Sequence, residues 1–321
     1  MKRTFVISVV AAALLALVPL FIQSPYALHI FILFFIVVAL GESWNILGGF
    51  AGQYSVGHSA WYGIGAYGAF VLLQQKNVAP WFGVWVGVAV AVIVALAVGW
   101  ITFRLRGPYF VLASIAVAEI IRLLALNWKD LTNGAEGILA SDLPPLKLGG
   151  TMITDWNSKT PYFYMGLLMA VFCIAVNYVV KGSKLGYYLQ AIREDQDAAH
   201  SLGIPLTLYK NAALGISAAC TALAGSFAAF YVGFIEPQGV FGIDVSIQMV
   251  LTAIIGGIGT VSGPIFGALV LVVLTEMLRA SLAQAHLLVY GVLLVVVILV
   301  MPEGIVGFAS QRLRRRKAAA A

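Results

Sequence analysis

"FGVWVGVAVAVIVALAVGWITF", residues 82–103, decides the fold class. It is 22 residues long and holds no charge. A run of about 20 apolar residues spans the hydrocarbon core of a bilayer. The chain repeats this pattern. Of its 321 residues 61% are hydrophobic and only 10% charged, against about 45–50% apolar in a soluble domain. So little polar surface cannot cover a globule of this size. The reading is an all-α polytopic membrane protein, in a single transmembrane domain over 1–321. Helices follow because a backbone in lipid must satisfy its own hydrogen bonds, and no alternating strand pattern appears.

Working outward from that run gives about ten spans: 5–22, 28–46, 60–75, 82–103, 109–126, 162–180, 211–232, 246–257, 263–279 and 285–301. The third and eighth are short or glycine-rich, so some spans are expected to be broken. The first has the basic start of a secretion signal, but its apolar run is long for one, and a retained span is expected.

Orientation follows from Lys and Arg. With the N-terminus inside, ten spans return the C-terminus to the same side. Thirteen basic residues then lie inside, including Lys181, Lys184, Arg193, Lys210 and the tail 308–321; Lys76, Lys129, Lys147 and Lys159 lie outside. This placement accounts for the net charge of +6 without nucleic acid, and membrane lipid is the expected surroundings. The inner loop is 181–210. The outer loop, 127–161, carries Asp130, Glu136, Asp142 and Asp155, and reads either as a docking surface or as a solvated loop.

Chemistry-bearing clusters are sparse. Cys173 and Cys220 lie in separate apolar runs, and the four histidines are scattered. No metal site, cofactor or catalytic residue is expected, and the chain is not read as an enzyme. The phosphate loop G-x-x-x-x-G-K-[ST] is absent. Three acids fall at membrane depth, where charges are costly and by default functional. Glu119 with Arg122, and Glu276 with Arg279, share an i,i+3 spacing that suits structural ion pairs. Glu42 has no local partner, so it is expected to cap a broken helix or bond across to another span.

Two glycine-rich breaks follow apolar spans: "LGGFAGQYSVGHSAWYGIGAYGA", 47–69, and "IGGIGTVSGPIFGA", 255–268. Small residues let helices approach closely, and broken helices expose backbone to a solute in transporters. Glu42, Gln53, Ser55, His58, Gly256, Gly257 and Gly259 are the candidates for lining a translocation path. The other reading is a close-packed hinge.

One segment is too polar for lipid: "YYLQAIREDQDAAHSLGIP", 187–205. Leu189, Ile192, Ala199 and Leu202 recur at roughly helical spacing, so 187–202 is expected to be one short amphipathic helix. Gly203 is a stop and Pro205 prevents resumption. Its polar face is mostly acidic, which disfavours a lipid headgroup surface. A cytoplasmic protein partner is the better reading, with Ala198 and Ala199 as a patch small enough for close approach.

"DAAHSLG", 197–203, resembles the E-A-A-x-x-x-G motif of ATP-binding-cassette importer permeases, with Asp197 for the usual Glu. The segments 186–242, "GGFAGQYSVGHSAWYGIGAY", "LTNGAEGI" and "AIIGGIGTVSGPIFGA" are similar to membrane subunits of bacterial branched-chain amino acid importers, in particular the larger of the two. The family also includes sugar and urea permeases. The resemblance implies an inner-membrane permease paired with a second homologous permease subunit. It also implies two cytoplasmic ATPase subunits and an extracytoplasmic solute-binding protein. It makes the 187–203 segment a coupling helix that docks on the ATPase, through Arg193, Glu194, Asp197, Ala198, Ala199 and Gly203. The expected cargo is Leu, Ile or Val. Urea, short amides or other small solutes in the same architecture are an alternative, and an ion-coupled secondary transporter is another.

Overall fold

The computed structural model describes residues 13–22, 24–76, 80–139, 147–148, 151–152, 158–279, 291–292 and 304–308. The chain is helical along nearly all of these. The long helices are α1 (Pro25–Trp44), α2 (Ser59–Lys76), α3 (Pro80–Thr102), α4 (Pro108–Asn127) and α5 (Thr160–Gly182). After α6 (Lys184–Glu194) and α7 (Gln196–Ser201) come α8 (Leu206–Val232), α9 (Pro237–Phe241), α10 (Ile243–Gly256) and α11 (Gly263–Arg279). Proline opens α1 and α4, where its missing N–H costs nothing and its fixed φ suits the first turn.

Each expected span from 28–46 to 263–279 coincides with one of these helices. Residues 5–12 of the first span, nearly all of the tenth span and most of the basic tail lie outside the described residues, as does the side chain of Arg279. Among the described residues, six helical stretches are long and apolar enough to cross a membrane. One corrects an expectation. The short eighth span, 246–257, lengthens to Pro237–Gly256, because α9 leads into α10 through Gly242.

α1 and α8 sit at the centre and are the most buried; α3 and α4 are mostly exposed. Phe35 of α1 meets Phe163 of α5 edge to face at 5.1 Å, within a core where Trp44, Phe35 and Phe163 are fully buried. Small residues bring α2 against α8: a Cβ on Gly65 would strike the Ala222 backbone, and one on Gly225 the Tyr62 backbone. Ser226 Oγ donates to Gly65 O across this crossing at 2.8 Å. With little hydrophobic drive between helices in lipid, such close approach is what holds them.

The connections fall into two groups at opposite helix ends. At one end residues 45–58, 103–107, 181–205 and 257–262 touch one another. At the other, the segment after α4 meets the segment after α8. There Ile138–Leu139 (β1) pairs antiparallel with Phe234–Ile235 (β4), while Lys147–Leu148 (β2) and Thr151–Met152 (β3) form a second short ladder. This partition is the alternation of loops that the basic residues require.

Candidate functional site

The first break begins inside a helix. At Asn45–Phe50 the α1 rod widens into a π turn, a distortion common at functional positions. The wider turn admits large side chains beside glycines: the Trp44 ring stands where a Gly48 Cβ would be, and Asn45 Oδ1 where a Gly49 Cβ would be. Beyond Ala51 the chain leaves the helix until Ser59. Trp44 Nε1 donates to Ser55 O at 2.7 Å.

His58 closes the segment. It is fully buried, with Nδ1 3.0 Å from Ser55 Oγ and Nε2 2.9 Å from Ser217 Oγ. Ser217 Oγ donates to Ser43 O at 2.6 Å, so it can only accept from His58. That assigns the imidazole proton to Nε2 and makes Nδ1 the acceptor for Ser55. One histidine thus joins α1, the break and α8.

The second break, 257–262, is held from outside. Asn45 grips it twice: Gly259 N–H donates to Asn45 Oδ1 at 2.9 Å, and Asn45 Nδ2 donates to Thr260 O at 2.9 Å. Lys181, at the end of α5, donates to Gly259 O at 2.8 Å. Thr260 Oγ1 donates to Gly257 O and accepts from Gly263 N–H, starting α11. Gly259 has φ +73°, and a Cβ there would lie 2.6 Å from Arg193 Nη1 and 3.0 Å from Gly49 O. Only glycine serves this backbone.

The polar 183–205 segment is not one helix. Asp195 stands extended between α6 and α7, and its carboxylate accepts N–H bonds from Asp197 at 2.8 Å and Ala198 at 3.0 Å. This N-cap competes with continuing the helix and wins. The same two bonds hold the Asp195 carboxyl below its ordinary value. α7 ends in a Schellman turn: Gly203, φ +82°, donates to His200 O at 2.9 Å, and Ile204 N–H donates to Ala199 O at 3.1 Å.

The break also divides the expected docking residues. Glu194, Asp197, Ala198 and Gly203 face outward; Ala199 is buried with Leu189 and Ile192, whereas Leu202 is exposed. Asp197 pairs with Arg106 at 2.8 Å; both are exposed, so the pair carries little stability. Arg193 reaches back, donating from Nη1 to Gly49 O at 3.0 Å and from Nη2 to Glu194 at 2.9 Å. Lys210 of α8 ties α7 down through Gln196 at 2.8 Å. The turn is therefore attached directly to the first break through Arg193, and Lys181 just before it holds the second.

Of the path candidates, Gln53 lines a cavity of about 530 Å³ with Tyr54, Pro108, Phe110 and Gln196. Ser55 borders a void of about 20 Å³, room for a single water. Gly256, Gly257 and Gly259 shape the second break. Glu42 is fully buried, and among the described residues neither carboxylate oxygen has a hydrogen-bond partner. Its side chain neither caps the helix nor bonds to another span; only its backbone does, where Asn177 Nδ2 donates to Glu42 O at 2.8 Å. Asn45, Asn177, Lys181 and Lys210 were not among the candidates. Their one visible mark was a polar side chain in or beside an apolar run.

Fold and site together define a multi-pass, all-helical membrane protein whose polar groups hold broken helices to a polar turn. Among the described residues no three of His, Cys, Asp or Glu gather as metal ligands. The family model described as "Branched-chain amino acid transport system / permease component" matches residues 26–301, and the chain belongs to this family. It is 29% identical to the high-affinity branched-chain amino acid transport system permease protein LivM of Escherichia coli K12, over 97% of this chain and 77% of the relative. Its identity to LivM of Salmonella typhimurium is 29%, over 92% and 73%. To LivH of E. coli K12 it is 26% identical, over 84% and 90%. No solved structure is a significant match.

Proposed function

We propose that this chain is the permease subunit of an ATP-binding-cassette importer in the bacterial inner membrane, moving Leu, Ile, Val or close analogues into the cytoplasm. Both termini and the 183–205 turn face the cytoplasm, as the Lys/Arg bias requires. A second homologous permease subunit pairs with it. Two ATPase subunits dock on the turn, and an extracytoplasmic protein delivers the solute. The chain itself carries out no covalent chemistry.

One observation carries this reading. The outer face of α7 is exposed, while Arg193 of the adjoining α6 attaches the turn to the first helix break. A partner that displaces α6–α7 pulls on Arg193, and Arg193 holds Gly49. Gly49 in turn abuts Gly259, which Asn45 and Lys181 hold. ATP-driven movement outside the bilayer would thereby shift the bundle between two states through differential contacts.

Radiolabelled leucine uptake tests the transport claim, in a strain lacking this chain and in the complemented strain. Uptake that depends on the chain supports it; equal uptake refutes the amino acid assignment. Ala198→Arg tests the docking claim, because Ala198 is exposed and the substitution spares the fold. Loss of ATPase co-purification from a normally inserted variant is expected, and normal co-purification would sink the docking surface.

A further inference from the structure

The expected Glu119–Arg122 ion pair forms, but in a place that a structural pair would not choose. Arg122 Nε and Nη2 donate to the two Glu119 oxygens at 2.8 and 2.6 Å, and Nη1 donates to Gln238 Oε1 at 2.7 Å. Glu119 lies about 12 Å inside the Asn127 end of α4 and about 16 Å inside the Pro108 end, at 1.5 Å per residue. Trp128, well exposed, marks the interface beyond. At this depth the Glu119 side chain is 51% exposed and Arg122 16%. The exposed face of α4 includes Leu112, Ala116, Ile120, Leu123, Leu124 and Asn127, with the Glu119 carboxylate near its middle.

A charged group facing acyl chains costs several kcal/mol, and ionisable residues in spans face bundle interiors or water-filled cavities. The Glu119 carboxylate is therefore read as facing water rather than acyl chains. On the family reading that water is the path shared with a second permease. An aliphatic amino acid zwitterion carries an ammonium and a carboxylate on one carbon, and an apolar side chain. Glu119 and Arg122 match the first two, and Leu112, Ala116 and Leu123 offer apolar contact to the third. Gln238 keeps Arg122 in place when Glu119 turns to a new cation.

We infer that Glu119, Arg122 and Gln238 form a polar station in the translocation path that takes the charged end of an aliphatic amino acid. This rests on the proposed function, so two tests separate them. The first ignores substrate identity. In the assembled importer, Glu119→Cys should react with a charged, membrane-impermeant thiol reagent, whereas Ile93→Cys, on the exposed side of α3, should not. Equal inertness at both positions places Glu119 against lipid and overturns the station. The second uses the charge swap E119R/R122E, which restores a structural pair but reverses a binding site. Assembly equal to wild type is expected, with leucine uptake down by at least about tenfold, as in Glu119→Gln; a lost charged hydrogen bond has that weight. Uptake restored by the swap, or normal uptake in Glu119→Gln, overturns the zwitterion role. Failure of the wild-type chain to support leucine uptake breaks the functional proposal alone and leaves the labelling result standing.

Discussion

The two glycine-rich breaks use the same residue for different ends. In the first, at 51–58, glycine makes room for a neighbour that then fills the space: the Ser114 backbone packs against Gly57, while Trp44 bonds to Ser55 and His58 ties the break to α8. In the second, at 257–262, glycine leaves backbone groups open for Asn45 and Lys181 to hold. The first is part of the core. The second is a clasp, and a clasp can release. Sequence alone, rich in glycine at both, does not separate the two.

The largest effect expected from testing that contrast is at Gly57. A methyl there meets the Ser114 carbonyl of α4, which is backbone and cannot swing away. Gly57→Ala should cost about 3 kcal/mol or more through overpacking, read as a fall in the thermal midpoint and yield of purified protein. Asn45→Ala comes next. It strands a half-buried N–H and a half-buried carbonyl, at about 1 kcal/mol each. Hydrogen exchange should quicken at 257–262 and stay slow at 51–58; equal quickening would erase the distinction between core and clasp. Gly259→Ala should be milder, about 1–3 kcal/mol of backbone strain, because the atom its Cβ meets at 2.6 Å is the end of a flexible arginine. Its mark should be leucine uptake reduced more than stability.

The smallest effect is on pH. The Asp195 carboxyl sits below its ordinary value because two backbone N–H groups favour its charged form. Its stabilisation of α7 is therefore full above the unfolded aspartate range, and is lost as pH falls through the lower folded value. Protection of the amides at 197–202 should begin to weaken as pH falls through the ordinary aspartate range and be lost below the lower folded value, with no matching change in either break.

Helices and breaks were legible because both are local statements: an apolar run of fixed length, then glycines. The polar turn was legible as polar, since four charges in five residues cannot enter lipid. Its break was not. Asp195 read as one more acid in a charged run, and only its bonds to Asp197 and Ala198 reveal a cap. That cap turns Ala199 inward while Ala198 stays exposed, which splits a pair that looks uniform in sequence. Asn45, Asn177 and Lys181 escaped notice because their partners lie 78 to 215 residues away. The Glu119–Arg122 spacing was plain, but its exposure depends on how α4 is turned in the bundle.

The two-rung ladder of β1 and β4 has a mechanical consequence. Ile138 and Leu139 continue from α4, while Ile235 and Phe234 continue from α8, and the ladder binds them at the end farthest from α7. Joined there, α4 and α8 cannot part at that end without breaking the ladder. At the other end Phe110 of α4 and Leu214 of α8 share one core cluster, so a push from α7 must work against their packing rather than slide one helix past the other.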